Sequence, residues 1–199
     1  MNLSFNYKGS LLFVVLLAAV LGTTIVGSST TQAWADVIEG TEGPDFIVGT
    51  PEDDVIDSKG GSDFNSGDTI IGDGSGNDVI LSGEGGDINR ADSFSGQGSG
   101  NDVIASGEGN DRNFGDTTFG DGSGDDIIAS GDGSDVNFGD TAAEGEGSGD
   151  DKIITGEGDD TNTGNGGADI FVCGGGDGDT VTDFNAAEGD IATPDCENV

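Results

Sequence analysis

The chain has 199 residues, of which 40 are acidic and only five basic, giving a formal net charge of −35; there is no histidine and there are just two cysteines. That sign excludes nucleic acid and anionic membrane as direct partners, and the missing histidines remove the commonest transition-metal ligand. With 40 glycines and 32% hydrophobic residues, composition alone describes a self-repelling, disordered chain, so any fold has to neutralise its own carboxylates.

Residues 1–35 carry one charged residue, Lys8, then the apolar run Leu11–Leu21, and end in Ala33-Trp34-Ala35. A charged start, a short apolar stretch and an A-x-A ending have the layout of a secretory signal peptide, and the run is shorter than the roughly 20 residues of a spanning helix. The competing reading is an uncleaved membrane anchor. After cleavage no stable membrane span is expected, and Lys59, Arg90, Arg112 and Lys152 are the basic residues left.

From Gly40 the chain is written in nine-residue units. GTEGPDFIV (Gly40–Val48) and GTPEDDVID (Gly49–Asp57) share the pattern G-x-x-G-x-D-x-U-x, where U is a large apolar residue and Glu52 replaces the second glycine in the latter unit. Between Gly72 and Thr155 a longer sentence recurs four times, as in GQGSGNDVIASGEGNDRNFGDTTF; each copy holds two units plus a six-residue extension. Whole columns align: Asp54, Asp78, Asp102, Asp126 and Asp151; Asp63, Asp87, Asp111, Asp135 and Asp160; Asp68, Asp92, Asp116 and Asp140; Asn65, Asn89, Asn113, Asn137 and Asn162; and Ile56, Ile80, Ile104, Ile128 and Ile154. Successive members stand 24 residues apart, with slips only in the last copy. A fixed period in this range is the signature of a solenoid, in which one coil cannot bury its own core.

Each unit has a glycine-rich bend and an apolar strand such as Val79-Ile80-Leu81. A ladder of antiparallel hairpins would use the same turn residues but would not need identical residues in register. Stacked parallel coils do, because each column then becomes a row of neighbours about 4.8 Å apart. GNGGADIFV (Gly164–Val172) is a last unit, and the alternation of Asp179, Val181, Phe184 and Ile191 suits a strand that caps the final coil. The expected fold is therefore all-β, a parallel β-roll or β-solenoid of about five to seven coils, divided into 1–35 (signal peptide), 36–172 (repeats) and 173–199 (cap). Cys173 and Cys196, the pair left in a secreted chain, are expected to form a disulfide across that cap.

Stacked aspartate columns repel unless a cation lies between turns. Calcium suits them, taking six to eight oxygens from carboxylates and carbonyls, whereas magnesium asks for stricter octahedral geometry. The units resemble the RTX (hemolysin-type) calcium-binding nonapeptide, GGxGxDxUx, over Gly40 to about Ile191, and Asp179-Thr180-Val181-Thr182-Asp183-Phe184 is similar to the segment that closes such arrays. The resemblance implies a parallel β-roll with several calcium ions held in the turns by the motif aspartate and by carbonyls. The motif position falls on Asp45, Asp54, Asp63, Asp78, Asp87, Asp102, Asp111, Asp126, Asp135, Asp151, Asp160, Asp169 and Asp179.

Two departures bear on the shape. The usual pair of nonapeptides has no six-residue extension, and every second U position here is asparagine. The asparagines either stack inward as an amide ladder or face solvent, and the coil is either two-sided or has the Asp-Thr extension as a third side. Glu84, Glu108, Asp132 and Glu157 read as a solvated face; Asp68, Asp92, Asp116 and Asp140 as ligands or turn formers; Phe114, Phe119 and Phe138 as coil filling.

These features describe a secreted or surface-associated calcium-binding repeat protein that folds on its ions and has a non-catalytic role. An envelope adhesin or matrix element with a surface partner is the alternative, and a binder of ice or mineral through flat Thr and Asn columns a further one. No catalysis is expected: histidine is absent, no nucleophile context is present, and carboxylates that hold ions are not free for acid–base work.

Overall fold

The structure is a computed structural model and describes residues 36–74, 76–141, 147–176 and 178–199. The signal-peptide reading concerns residues 1–35, which lie outside them. Fifteen short strands follow one another: β1 (Val37–Glu39), β2 (Phe46–Val48), β3 (Val55–Asp57), β4 (Phe64–Ser66), β5 (Val79–Leu81), β6 (Ile88–Arg90), β7 (Val103–Glu108), β8 (Arg112–Phe114), β9 (Ile127–Asp132), β10 (Val136–Phe138), β11 (Lys152–Thr155), β12 (Thr161–Thr163), β13 (Ile170–Val172), β14 (Thr180–Val181) and β15 (Ile191–Ala192).

Odd-numbered strands form one eight-stranded sheet, β1-β3-β5-β7-β9-β11-β13-β15, and even-numbered strands a seven-stranded sheet, β14-β12-β10-β8-β6-β4-β2. Neighbours are parallel and in register, as in Val79↔Val103 and Ile80↔Ile104. The chain therefore alternates between two sheets as it climbs, which is a parallel β-solenoid, and among the described residues there is no α-helix.

Between the sheets, Ile56, Ile80, Ile104 and Ile128 stack fully buried, continued by Ile153 and Phe171. The last isoleucine of this row is a correction. Lys152-Ile153-Ile154 pairs with Ile127-Ile128-Ala129, so Ile153 rather than Ile154 joins the column. The extra residue precedes Asp151 and shifts aspartate and isoleucine together, Asp126 to Asp151 and Ile128 to Ile153 both being 25 apart. Ile154 stands one position further on, and in a structure of period two a one-residue slip exchanges inside for outside.

The other half of the core is polar. Asn65, Asn89, Asn113, Asn137 and Asn162 are buried on the second sheet, so the inward ladder is the arrangement adopted. In Asn65, Asn89, Asn113 and Asn137 the Nδ2 donates to the Oδ1 one coil on, at 2.9 Å for Asn65 to Asn89 and 3.0 Å for Asn89 to Asn113, and the ladder ends on Asn162. The second Nδ2 proton of these four goes to a serine of the facing sheet, Ser58, Ser82, Ser106 or Ser130. An amide inside a coil is tolerable only because both donors are used.

The extensions form a third side. They are joined by single parallel bridges, Ile71↔Ser95 and Ser95↔Phe119, and by backbone bonds such as Phe94 N–H to the Ile70 carbonyl. Ser93, Thr117 and Thr141 of this side are buried, as are the asparagines. The columns behind the ice- or mineral-binding reading thus face inward, and that reading loses its flat outer face. Phe114 is buried and stacked on Phe138 at 5.4 Å, whereas Phe119 is 45% exposed and meets Phe94 edge-on, so it is not coil filling. The Arg90 guanidinium fills the gap between the rings of Phe64, Phe94 and Phe114, 4.8 to 5.2 Å from their centroids.

The cap is tied down covalently. The structure joins Cys173 and Cys196 by a disulfide, which holds the end of the chain over β13 and beside the buried Val181.

Candidate metal centres

Every turn that leads into a strand presents its motif aspartate in the same way. The Asp54 N–H donates to Asp78 Oδ1 at 2.7 Å, Asp78 N–H to Asp102 Oδ1 at 2.6 Å, and the series runs through Asp126, Asp151 and Asp169. The second series does likewise, Asp63 to Asp87, Asp111, Asp135, Asp160 and Asp179. One carboxylate oxygen of each aspartate is thus spent on joining coils.

The other oxygen is not. Eleven of the motif aspartates, Asp63, Asp78, Asp87, Asp102, Asp111, Asp126, Asp135, Asp151, Asp160, Asp169 and Asp179, have a buried Oδ2 with no donor at hydrogen-bond geometry. Ser82 and Ser106 stand near Asp87 and Asp111 and hold their carboxyls down a little, but their hydroxyls donate to carbonyls one coil on. Only at the N-terminal end are donors present, Thr41 for Asp45 and Thr50 for Asp54. A buried carboxylate oxygen without a donor costs several kcal/mol unless a proton or a cation meets it, roughly the penalty for an unpaired buried charge.

The electrostatics of these carboxyls point the same way. Burial, reinforced by neighbouring carboxylates, pushes Asp78 and Asp151 up to about 8 and Asp111 to about 7, against a backbone hydrogen bond that pulls each down. Asp102 and Asp126 are driven well above the ordinary carboxylate range, again chiefly by burial. These groups gain a proton because the fold gives them no counter-charge.

Bare backbone walls the turns. A Cβ at Gly100 would lie 1.8 Å from the Gly76 carbonyl oxygen of the coil below and 2.8 Å from Asp102 Oδ1, so glycine there lets carbonyl and carboxylate oxygens pack together. Oxygen-only surroundings, orphaned carboxylates and no nitrogen or sulfur donor fit a hard cation, calcium above all.

Two sets of acids escaped the motif. Asp68, Asp92, Asp116 and Asp140 are buried inside the coil rather than acting as surface turn formers; Asp68, Asp78 and Asp92, and again Asp92, Asp102 and Asp116, bring ligand oxygens within 4.8 Å of one another. The signal was available, since this column repeats at the ligand spacing. Asp190 and Glu197 of the cap take the place of the next motif aspartate, accepting the N–H of Asp169 and Asp179; their segment departs from the nine-residue pattern and gave no sign of it. By contrast Glu84, Glu108, Asp132 and Glu157 are exposed, a solvated row.

No curated protein and no solved structure matches the chain. The family of RTX calcium-binding nonapeptide repeats matches in four copies, over residues 35–64, 98–112, 121–136 and 147–181. Two registered files of aspartates with donor-free oxygens in a parallel solenoid agree with that match, and the chain belongs to the RTX calcium-binding nonapeptide repeat family.

Proposed function

We propose that this is a secreted structural protein, non-catalytic, that folds when calcium enters the turns and acts at or outside the cell surface. The ligands in this reading are the motif aspartates Asp45 to Asp179, the eleven from Asp63 onward through their donor-free oxygen, together with turn carbonyls. The observation that carries it is the row of buried Oδ2 atoms without donors.

The ion binds the folded chain and not the unfolded one, so it stabilises folding by mass action. In a calcium-poor compartment the 40 acids repel and the chain stays open for export; residues 1–35 supply the export signal. Outside, millimolar calcium closes the coils. A role as an envelope adhesin or matrix element draws support from the exposed acidic row through Glu84, Glu108, Asp132 and Glu157, which would meet a basic surface partner.

Far-UV circular dichroism of the full chain during a calcium titration tests the folding claim, with magnesium as the control. A coil-to-β transition with calcium alone is expected. An unchanged spectrum at millimolar calcium would sink the proposal.

A further inference from the structure

We propose that the six-residue extension builds a second class of calcium site, an interior file in which each ion is held by one motif aspartate and two extension aspartates: Asp78 with Asp68 and Asp92, and Asp102 with Asp92 and Asp116. The inference rests on the calcium reading above but concerns residues outside the repeat motif.

The nonapeptide itself brings one aspartate to each turn. In the longer coils the extension adds a second carboxylate, which turns back inside the coil against the first. Asp92 is fully buried and neither of its oxygens meets a hydrogen-bond donor; the same holds for Oδ2 of Asp78 and Asp102 and Oδ1 of Asp116. These atoms point at one another within 4.8 Å, the spread that ligands at roughly 2.3–2.6 Å from a common calcium can span. Magnesium, at roughly 2.0–2.1 Å, draws its ligands closer together.

Glycine makes the room. Gly98 follows Asp92 by six residues, and a Cβ there would lie 2.2 Å from Asp92 Oδ2; Gly122 stands in the same relation to Asp116, at 2.4 Å. The extension carboxylates therefore lie against bare backbone, walled from water by the turn itself.

Charge balances along the file. Each 24-residue step adds one motif and one extension aspartate, two carboxylates that one divalent cation neutralises. The second motif series, Asp87 and Asp111, receives no extension acid. More carboxylates per ion give tighter calcium binding, so the interior file fills before the turns of the second series. Asp92 belongs to both triads and bridges consecutive ions, which couples their binding.

The test is calcium binding by equilibrium dialysis, with folding read by circular dichroism, on the full chain and on Asp92→Asn, Asp68→Asn and Asp87→Asn. Asp92→Asn is expected to remove the two tightest ions and to raise the calcium needed for folding about tenfold or more, because ligand charge sets affinity. Asp68→Asn should affect one tight ion, and Asp87→Asn should leave the tight class intact. If the triads hold no ion, Asp92→Asn instead relieves a crowded cluster: its binding curve would superimpose on that of the parent chain, or it would fold at lower calcium, and either result overturns the proposal. Failure of Asp92→Asn to fold in calcium, where loss of repulsion alone would favour folding, supports it. A parent chain that neither binds nor folds with calcium removes the underlying reading instead.

Discussion

Asn113 stands at the crossing of two hydrogen-bond directions: its Oδ1 accepts from Asn89 Nδ2 at 3.0 Å, and its own Nδ2 reaches Asn137 Oδ1 at 2.9 Å and Ser106 Oγ at 3.0 Å. The second sheet thus meets the isoleucine row with a continuous amide ladder, and each amide is tied both along the stack and across it.

Removing one rung leaves polar atoms buried on both sides. Asn113→Ala should cost about 3 kcal/mol of calcium-saturated stability, the sum of lost bonds and stranded partners. Asn113→Leu should do no better, since Ser106 and Asn137 remain polar. Urea unfolding at fixed calcium measures both; a loss under about 0.5 kcal/mol would mean the ladder is not a structural unit.

Protons and calcium compete for the same oxygens, and the sign of that competition is testable. In the ion-free fold Asp160 and Asp169 are raised to about 6, Asp111 to about 7, Asp78 and Asp151 to about 8, from 3.8, with burial the largest cause. Between the unfolded and folded values the folded state holds more protons, so stability is full below the unfolded value and falls as pH rises through the folded ones. With chelator, β-structure should be present at about pH 3 and lost by about pH 8; with calcium the order reverses, because acid displaces the ion. Circular dichroism against pH, with and without calcium, reads both limbs. An ion-free chain as unstructured in acid as at neutral pH would contradict the geometry of the buried carboxylates.

Much of this was legible in the residues because parallel coils stacked in register convert a period into a column. The motif aspartates and the asparagine column were visible as repeats, and the capping segment as an alternation of apolar and polar residues after the last unit. Inside and outside were harder to read. Asp92 and Glu108 both recur with the period, yet Asp92 is buried and Glu108 exposed; the difference lies in how the extension turns back into the coil, which spacing alone does not encode. The serines Ser58, Ser82, Ser106 and Ser130 recurred equally but acquire meaning only opposite the asparagines. Ile154 misled because it adjoins the equally apolar Ile153, and only the pairing of Ile153 with Ile128 tells the two apart.

Lys59 occupies the place that glycine holds in later copies and has φ +76°. A side chain there strains the backbone by about 1 kcal/mol, so Lys59→Gly should stabilise the calcium-loaded fold by about that much. The converse change, Gly107→Ala, drives a Cβ to 2.0 Å from the Gly83 carbonyl and should abolish the cooperative calcium transition. Thermal unfolding of the two variants in calcium gives the pair of signs; a destabilised Lys59→Gly would show that the lysine pays for its strain through its 3.3 Å contact with Glu39.

The cap supplies the last members of both aspartate series, Asp190 for Asp169 and Glu197 for Asp179, and the Cys173–Cys196 disulfide, spanning 23 residues, fastens it. Opening that loop should cost about 3 kcal/mol by chain entropy. The loss should not be uniform along the solenoid. Coils in a stack depend on their neighbours, so freeing the cap frays the array from its C-terminal end. Cys173→Ser/Cys196→Ser is therefore expected to lose hydrogen-exchange protection first at β13, β14 and β15, and to bind its last calcium ions more weakly, while β5 to β9 keep their protection. Reduction of the unaltered chain should reproduce the pattern. Equal loss of protection over the whole stack would mean that the solenoid unfolds as one unit and that the cap acts on all coils at once.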